Sequence, residues 1–450
     1  MAVFDRSTTP EPEPPGPALV EEGSREAAAP EWGPVRRLLF RFAFSYLVLY
    51  LLPSFLGLVG FIPHAEILVV WYFQLWPRIV PWAGEHLFGV TALPHPTGSG
   101  DTMYSWVQHF CYLALAVLAA LAWTVLDRKR KSYPRLYEWL RVYVRLGLGM
   151  AMISYGAFKI IPSQFPQPSL DRLLQSFGDS SPMGILWTFM GASVPYSIFA
   201  GLTEFTGGAL LLFRRTMRLG AFVTIAAMTN VVMLNFCYDV PVKQYSSHLL
   251  AMAVFLAAPD LRRIADLLVF HRAVPAIADP PLFRRRWLRR AALALEAALL
   301  LGYGAYMLNV SYQAYREYHD VAGKPLHGIW LVDELAVDGQ IRPLVVTDAT
   351  RWRYVVFDYS DLFSIMPMDG SRQRYFADLD THKKTIGLKK RDDPAWKASF
   401  SYQEPAPGHL LLEGTLDGKK VRASLHRIEE PRFTLKTRGF HWVSEYPFNH

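Results

Sequence analysis

The stretch AALALEAALLLGYGAYMLNV at 291–310 is apolar from end to end, with Glu296 as its only charged residue. An α-helix rises 1.5 Å per residue, so about 20 such residues cover the ~30 Å hydrocarbon core of a bilayer. Just ahead of it stands the basic run from Arg284 to Arg290, and beyond residue 326 the text changes to short β-branched and aromatic runs such as GIWLV at 328–332. The fold turns on this junction: membrane helices on one side, a β-rich domain on the other.

Working upstream, further apolar runs read as spans at 38–62, 104–125, 141–161, 195–213, 219–238 and 244–256 with its extension, which makes about seven transmembrane helices. The loops between them are alternately basic. Arg36-Arg37, Arg128 to Lys131, Arg214-Arg215-Arg218, Arg262-Arg263 and Arg284 to Arg290 all fall on one side if the first segment is cytoplasmic. The loops at 63–102, 162–182 and 238–243 then lie outside, and so does the C-terminal domain. This is the pattern of a multi-pass protein of the bacterial inner membrane, with a cytoplasmic N-terminus and an extracytoplasmic (periplasmic) β domain. The net charge of +8 is accounted for by those loops, so the sequence predicts no nucleic-acid partner.

Three domains follow: a disordered cytoplasmic tail at 1–34, rich in Pro, Glu and Ala, a helical membrane domain at 35–318, and a β-rich domain at 319–450. The segment 64–90 holds Trp71, Trp76 and Trp82 but is broken by Pro77, Arg78 and Pro81, and reads as an interfacial helix. The segment 184–191, ahead of Pro195, reads either as a re-entrant piece or as the start of a broken helix.

In the last third, strands are predicted at 328–332, 352–358, 397–402, 409–413, 421–426 and 433–436. Turn signals stand at Asp338-Gly339, Asp369-Gly370 and Asp417-Gly418. That spacing predicts an all-β domain, an up-and-down barrel in preference to a sandwich. The run Arg438 to Trp442 reads as a final strand packed on the barrel in preference to a ligand edge. Two cysteines, Cys111 and Cys237, cannot make a disulfide framework; without C-x-x-C spacing they read as buried apolar residues sooner than as a redox pair.

Ionisable groups inside a membrane cost about 2.5–3.5 kcal/mol each, so each asks for a reason. Lys159 falls near the outer end of the third predicted span, and Glu204 lies deeper in the next, within reach of a lysine stem. Asn230, Tyr245 and His248 fall at similar depth on neighbouring spans, and Tyr155 is one turn from Lys159. These six residues make a candidate ligand site, a polar pocket expected to open toward the β domain. The bland alternatives are a structural ion pair, or Lys159 snorkelling outward. His248 alone reads as an interfacial residue, with His109 at comparable depth. No metal-ligand spacing, nucleotide loop or nucleophile–base triad stands out, so no metal site and no catalytic residue is assigned. Gly201 and Gly208, with Gly207 adjacent, read as a packing seam. Asp101 or Thr102 reads as a cap on the second span, and Glu296 as local compensation for Arg289 and Arg290.

Several of these residues carry a family resemblance. Tyr143-Val144-Arg145 leading to Tyr155-Gly156-Ala157-Phe158-Lys159, then Gly201-Leu202-Thr203-Glu204-Phe205-Thr206-Gly207-Gly208, and Arg214-Arg215-Thr216-Met217-Arg218-Leu219-Gly220-Ala221 resemble the DoxX family of small four-helix membrane proteins. They match its G-x-x-K helix end and E-x-x-G-G helix, and the resemblance covers about 143–268. The additional helices and the β domain depart from the minimal family. The resemblance implies a membrane component of redox chemistry near quinones or thiols, including a non-catalytic subunit of an oxidoreductase with redox protein partners. Gly328-Ile329-Trp330 is similar to the opening of lipocalin-like barrels. Three functions are therefore carried forward. The first is a redox-linked component binding a quinone or lipid-like molecule, the second a carrier that passes a hydrophobic molecule to the barrel, and the third a scaffold that docks protein partners.

Overall fold

A computed structural model of the protein describes residues 31–59, 64, 66–95, 97–275, 283, 285–319, 324–359, 361–390, 393, 395–429 and 433–449. The helical part comprises α1 (Pro34–Val59), α2 (Glu66–Ala83), α3 (Met103–Leu126), α4 (Pro134–Ile160), the single turn α5 (Leu170–Leu173), α6 (Pro182–Ala192), α7 (Val194–Leu212), α8 (Met217–Cys237), α9 (Lys243–Ala257), α10 (Leu261–Leu268) and α11 (Arg286–His319). Four of these, α1, α3, α8 and α11, are long and apolar enough to cross a membrane, and α6 with α7 forms a fifth, broken candidate bent by 97°. The remaining two predicted spans are helices of another kind: α4 carries Arg135, Glu138, Arg141, Arg145 and Lys159, and α9 has only 15 residues. The chain therefore has the make-up of a membrane protein.

Most of the predicted tail lies outside the described residues. Trp32 within it is buried against Phe40 and Tyr133, and its N–H donates to the Lys131 carbonyl at 3.0 Å. The predicted interfacial segment is α2, which runs on through Pro77 and Pro81 into one π turn and rests Trp76 edge-on against Tyr112 of α3.

Contacts sort the loops to two ends of the bundle. At one end Arg41 donates to the Tyr133 hydroxyl at 2.7 Å and to Thr124, and Arg218 pairs with Asp260 at 2.9 Å. At the other, Thr102 caps α3 while Asp101 caps α9, accepting from the Lys243 and Gln244 N–H groups at 2.7 and 3.0 Å. Phe165, Leu186, Met190 and Val240 bury one another at that same end.

The tightest helix crossing is α4 on α7, and glycine makes it possible. A Cβ on Gly156 would meet the Phe205 nitrogen at 2.6 Å and the Gly201 carbonyl at 2.7 Å, and one on Gly208 would meet the Gly149 carbonyl at 2.7 Å. The predicted seam of Gly201 and Gly208 thus has partners with the same seven-residue spacing, Gly149 and Gly156. Because these contacts are to backbone, a side chain here cannot be absorbed by a rotamer change. Gly156→Leu should cost about 3 kcal/mol or more. Gly302→Leu, where nothing lies within 4 Å, should cost nearly nothing. Thermal unfolding of the two variants in one detergent checks the contrast, and equal melting temperatures would remove the seam from this account.

The C-terminal part has strands β1 (Gly328–Val337), β2 (Gln340–Ile341), β3 (Trp352–Phe357), β4 (Leu362–Pro367), β5 (Gln373–Asp380), β6 (Thr385–Lys389), β7 (Lys397–Gln403), β8 (His409–Leu416) and β9 (Lys419–Ile428), then a turn of helix, α12 (Thr434–Thr437). Strands pair antiparallel in order from β3 to β9, and β9 returns to β1, so eight strands close a barrel with β2 as a short appendage. The pleat explains the core. Ala398, Phe400 and Tyr402 of β7 point inward between exposed Lys397, Ser399, Ser401 and Gln403. Asp338-Gly339 and Asp417-Gly418 both take positive φ, the backbone that matches the twist of a tight hairpin. Arg351, 1% exposed, stoppers one end by donating to the carbonyls of Val332, Asp333, Arg342 and Trp352. Two predicted strands are absent: 433–436 falls on α12, and 438–442 leaves Phe440 and Trp442 exposed with no strand partner.

The barrel docks on the loop after α4. Leu170 joins Ile329, Val356 and Met366, all on the outer face of the barrel, in a small apolar contact. Beside it Asp171 is fully buried and accepts from Arg374 Nε at 2.7 Å and Nη2 at 2.9 Å, from Ser169 Oγ at 2.5 Å and from Ser364 Oγ at 3.2 Å. Burial pushes the Asp171 carboxyl up, but Arg374, Ser169 and Arg372 together hold it below the usual carboxylate range.

Candidate functional site

The close approach of α4 and α7 also sets the polar centre of the bundle. A Cβ on Gly201 would fall 2.7 Å from Lys159 Cβ, so the glycine leaves room for the lysine stem to run along α7 toward Glu204. Lys159 Nζ donates to both carboxylate oxygens of Glu204, at 2.5 and 2.6 Å. The two residues are 5% and 3% exposed, which excludes an outward-snorkelling lysine. Tyr155, one turn before Lys159, sets its ring 5.6 Å from Nζ and stacks on Tyr245 of α9 at 5.8 Å between centroids.

These groups line one wall of a cavity of about 230 Å³, completed by Asn230 of α8 and by α6. Five of the six predicted site residues, Tyr155, Lys159, Glu204, Asn230 and Tyr245, therefore converge. His248 does not. Three residues after Tyr245 it is turned by about 60° around α9, far enough to face α1 and α3 instead. There it lies 2.6 Å from the Tyr46 hydroxyl, stacks on Tyr50 at 4.2 Å and sits 5.1 Å from His109. Tyr245 and Leu249 border both the main cavity and a neighbouring pocket lined by Tyr50 and His109.

Among the described residues none of the barrel lines the main cavity, contrary to the expectation that it opens toward the β domain. Its exposed rim is Phe189, Tyr196, Phe199 and Asn230, so its mouth lies on the flank of the bundle. Two lining groups escaped the sequence reading. Trp187 and Met190 come from α6, a segment whose sequence fits either a re-entrant piece or the start of a broken helix. Gln164, just past α4, brings a buried Oε1 with no hydrogen-bond partner among the described residues. The cavity thus offers an ion pair, an open amide acceptor and three tyrosine hydroxyls, of Tyr155, Tyr196 and Tyr245, without hydrogen bonds to described residues, on largely apolar walls. That set suits a small, mostly apolar molecule with a polar end.

Other sequence candidates fall elsewhere. Cys111 is buried between α2 and α3 while Cys237 is exposed at the end of α8, and both are free thiols. Glu296 pairs with the guanidinium of Arg145 on α4, not with its sequence neighbours Arg289 and Arg290.

No family profile and no solved structure matches the chain. Among curated proteins it is similar to the uncharacterized protein YwoB of Bacillus subtilis (strain 168), at 32% identity over 140 residues, which is 31% of this chain and 83% of that protein.

Proposed function

This chain belongs to the same family as YwoB, and because that relative's name assigns it no activity, we propose a function from the site itself. The protein is a multi-pass inner-membrane protein with a DoxX-like bundle that binds a quinone or a similar lipid-like molecule in the flank cavity, as a redox-linked component. In this reading α1, α3, α4, α7, α8, α9 and α11 all cross the bilayer, the loops rich in arginine face the cytoplasm, and the lipocalin-like barrel lies outside.

One observation carries the proposal: a desolvated Lys159–Glu204 pair lines an apolar cavity whose rim is on the exposed flank of the bundle, the side that faces lipid in this reading. A molecule dissolved in the bilayer could enter there without crossing water. Its carbonyl or hydroxyl would meet Tyr155, Tyr245 and the Gln164 amide. The carrier alternative has less support, because the barrel is filled by its own side chains, among them Phe363, Phe400, Leu412 and Leu425, all at most 1% exposed.

The test is mass spectrometry of small molecules that co-purify with the full-length protein, wild type beside Glu204→Gln and Tyr155→Phe/Tyr245→Phe. A quinone or lipid enriched in the wild type, and reduced at least about ten-fold in variants that still purify as folded protein, is the expected result. No enriched quinone or lipid in the wild type, or full retention by all variants, would sink the reading.

A further inference from the structure

A second concavity lies toward the other end of the bundle, between α4, α7 and α11, with a volume of about 920 Å³. Its chemistry differs from that of the flank cavity. The rim is cationic: Arg214 and Arg215 follow α7, and Arg289 ends the first turn of α11. Deeper in, Phe205, Leu210 and Leu293 make apolar walls, and Leu293 is 56% exposed on the flank.

Carboxylates balance only part of that charge. Glu296 takes Arg145, and Glu138 lies 3.8 Å from Arg214. Among the described residues no carboxylate lies within ion-pair distance of Arg215 or Arg289. Arg145 supplies an independent observation. It lines the groove, is 2% exposed, gives Nη1 to the Leu212 carbonyl at 3.0 Å, and retains a buried Nε–H with no acceptor among the described residues. A guanidinium so placed is incompletely satisfied by the protein alone.

We infer that this groove binds an anionic phospholipid, the phosphate held by Arg215 and Arg289 at the rim and an acyl chain laid along the wall toward Leu293. The position agrees with the ligand. The rim lies at the basic end of α11, itself one of the four helices apolar enough to span, so the arginines fall at headgroup level and the walls at acyl-chain level. A free phosphate would use the rim but leave the apolar walls unfilled. The inference rests on the membrane reading of the bundle and is independent of any quinone in the flank cavity.

The experiment is native mass spectrometry of the full-length protein with mixed-chain-matched dioleoyl phosphatidylglycerol and phosphatidylcholine, repeated with inorganic phosphate. The wild type should retain phosphatidylglycerol preferentially. Arg215→Gln and Arg289→Gln, both at exposed positions, should each reduce that preference roughly five-fold, the equivalent of about 1 kcal/mol per arginine. The double variant should lose about 25-fold. Glu204→Gln should leave the preference in place, which separates this site from the flank cavity. Equal retention of the two lipids, an unchanged preference in the double variant, or displacement of the lipid by millimolar phosphate would overturn the inference.

Discussion

Replacing Glu204 alone with leucine should lower the stability of the bundle by about 3–5 kcal/mol, because it strands the Lys159 ammonium without a partner. The lysine cannot escape to water. It is 5% exposed, its stem is fixed by the backbone of Gly201, and both of its short hydrogen bonds go to the missing group. Removing both charges, as Lys159→Met/Glu204→Leu, should recover most of the loss, since a buried pair stabilises little relative to apolar residues of similar volume. Thermal unfolding of the four proteins in one detergent gives the double-mutant cycle. Additive losses would mean that the two side chains do not act as a pair. Recovery of stability without recovery of ligand would assign the pair to binding; recovery of both would make it a structural clasp only.

A comparable loss is expected at the junction of bundle and barrel. Asp171→Asn leaves Arg374 and the neighbouring Arg372 facing a neutral amide in a site where the aspartate is fully buried. The expected cost is again about 3–5 kcal/mol, but it should fall on docking and not on either fold. Hydrogen exchange should therefore quicken at β4, β5 and residues 162–182 while the barrel interior stays protected. The pH dependence has a definite sign. Asp171 titrates below its ordinary 3.8 in the docked protein, so the undocked form binds more protons as pH falls. Its contribution is complete above about pH 4 and is lost as pH drops through the depressed value. Undocking that sets in near pH 6 would instead show that a group other than Asp171 governs the junction.

Much of this was readable in the sequence because local rules decide it. Apolar runs located the helices, the β-branched and aromatic runs with Asp-Gly turns located five of the eight barrel strands, and two glycines seven apart marked a seam. Of the strands missed, β4 is an almost continuously apolar run without alternation, β5 has charged residues on both sides of its apolar ones, and β6 is only five residues long. The site was legible as far as depth along each helix could carry it, which brought Lys159 to Glu204 and Tyr155 to Tyr245. Azimuth was the weak coordinate. His248 has the right depth, but packing of α9 against α1 and α3 turns it away. Partner choice across long separations was also hidden. Glu296 sits near two arginines in sequence and pairs with one 151 residues away, and Asp171 meets Arg374 203 residues on. A charge in a loop announces a need for a counter-charge without saying where the fold supplies it.

The closure of β9 onto β1 has a consequence for how the protein is made. The two strands are joined by eight registered residue pairs, yet about 90 residues of chain separate them. A chain synthesised from its N-terminus therefore commits its helices to the bilayer while β1 still waits, its hydrogen-bonding edge bare, for a strand not yet translated. Until then the growing sheet has two open edges, the state most prone to pairing with the wrong chain. The docking loop after α4 already exists by that time. Its contacts with β1, β3, β4 and β5 can hold the unfinished sheet against its own membrane domain, so that the bundle serves as a template on which the barrel is closed.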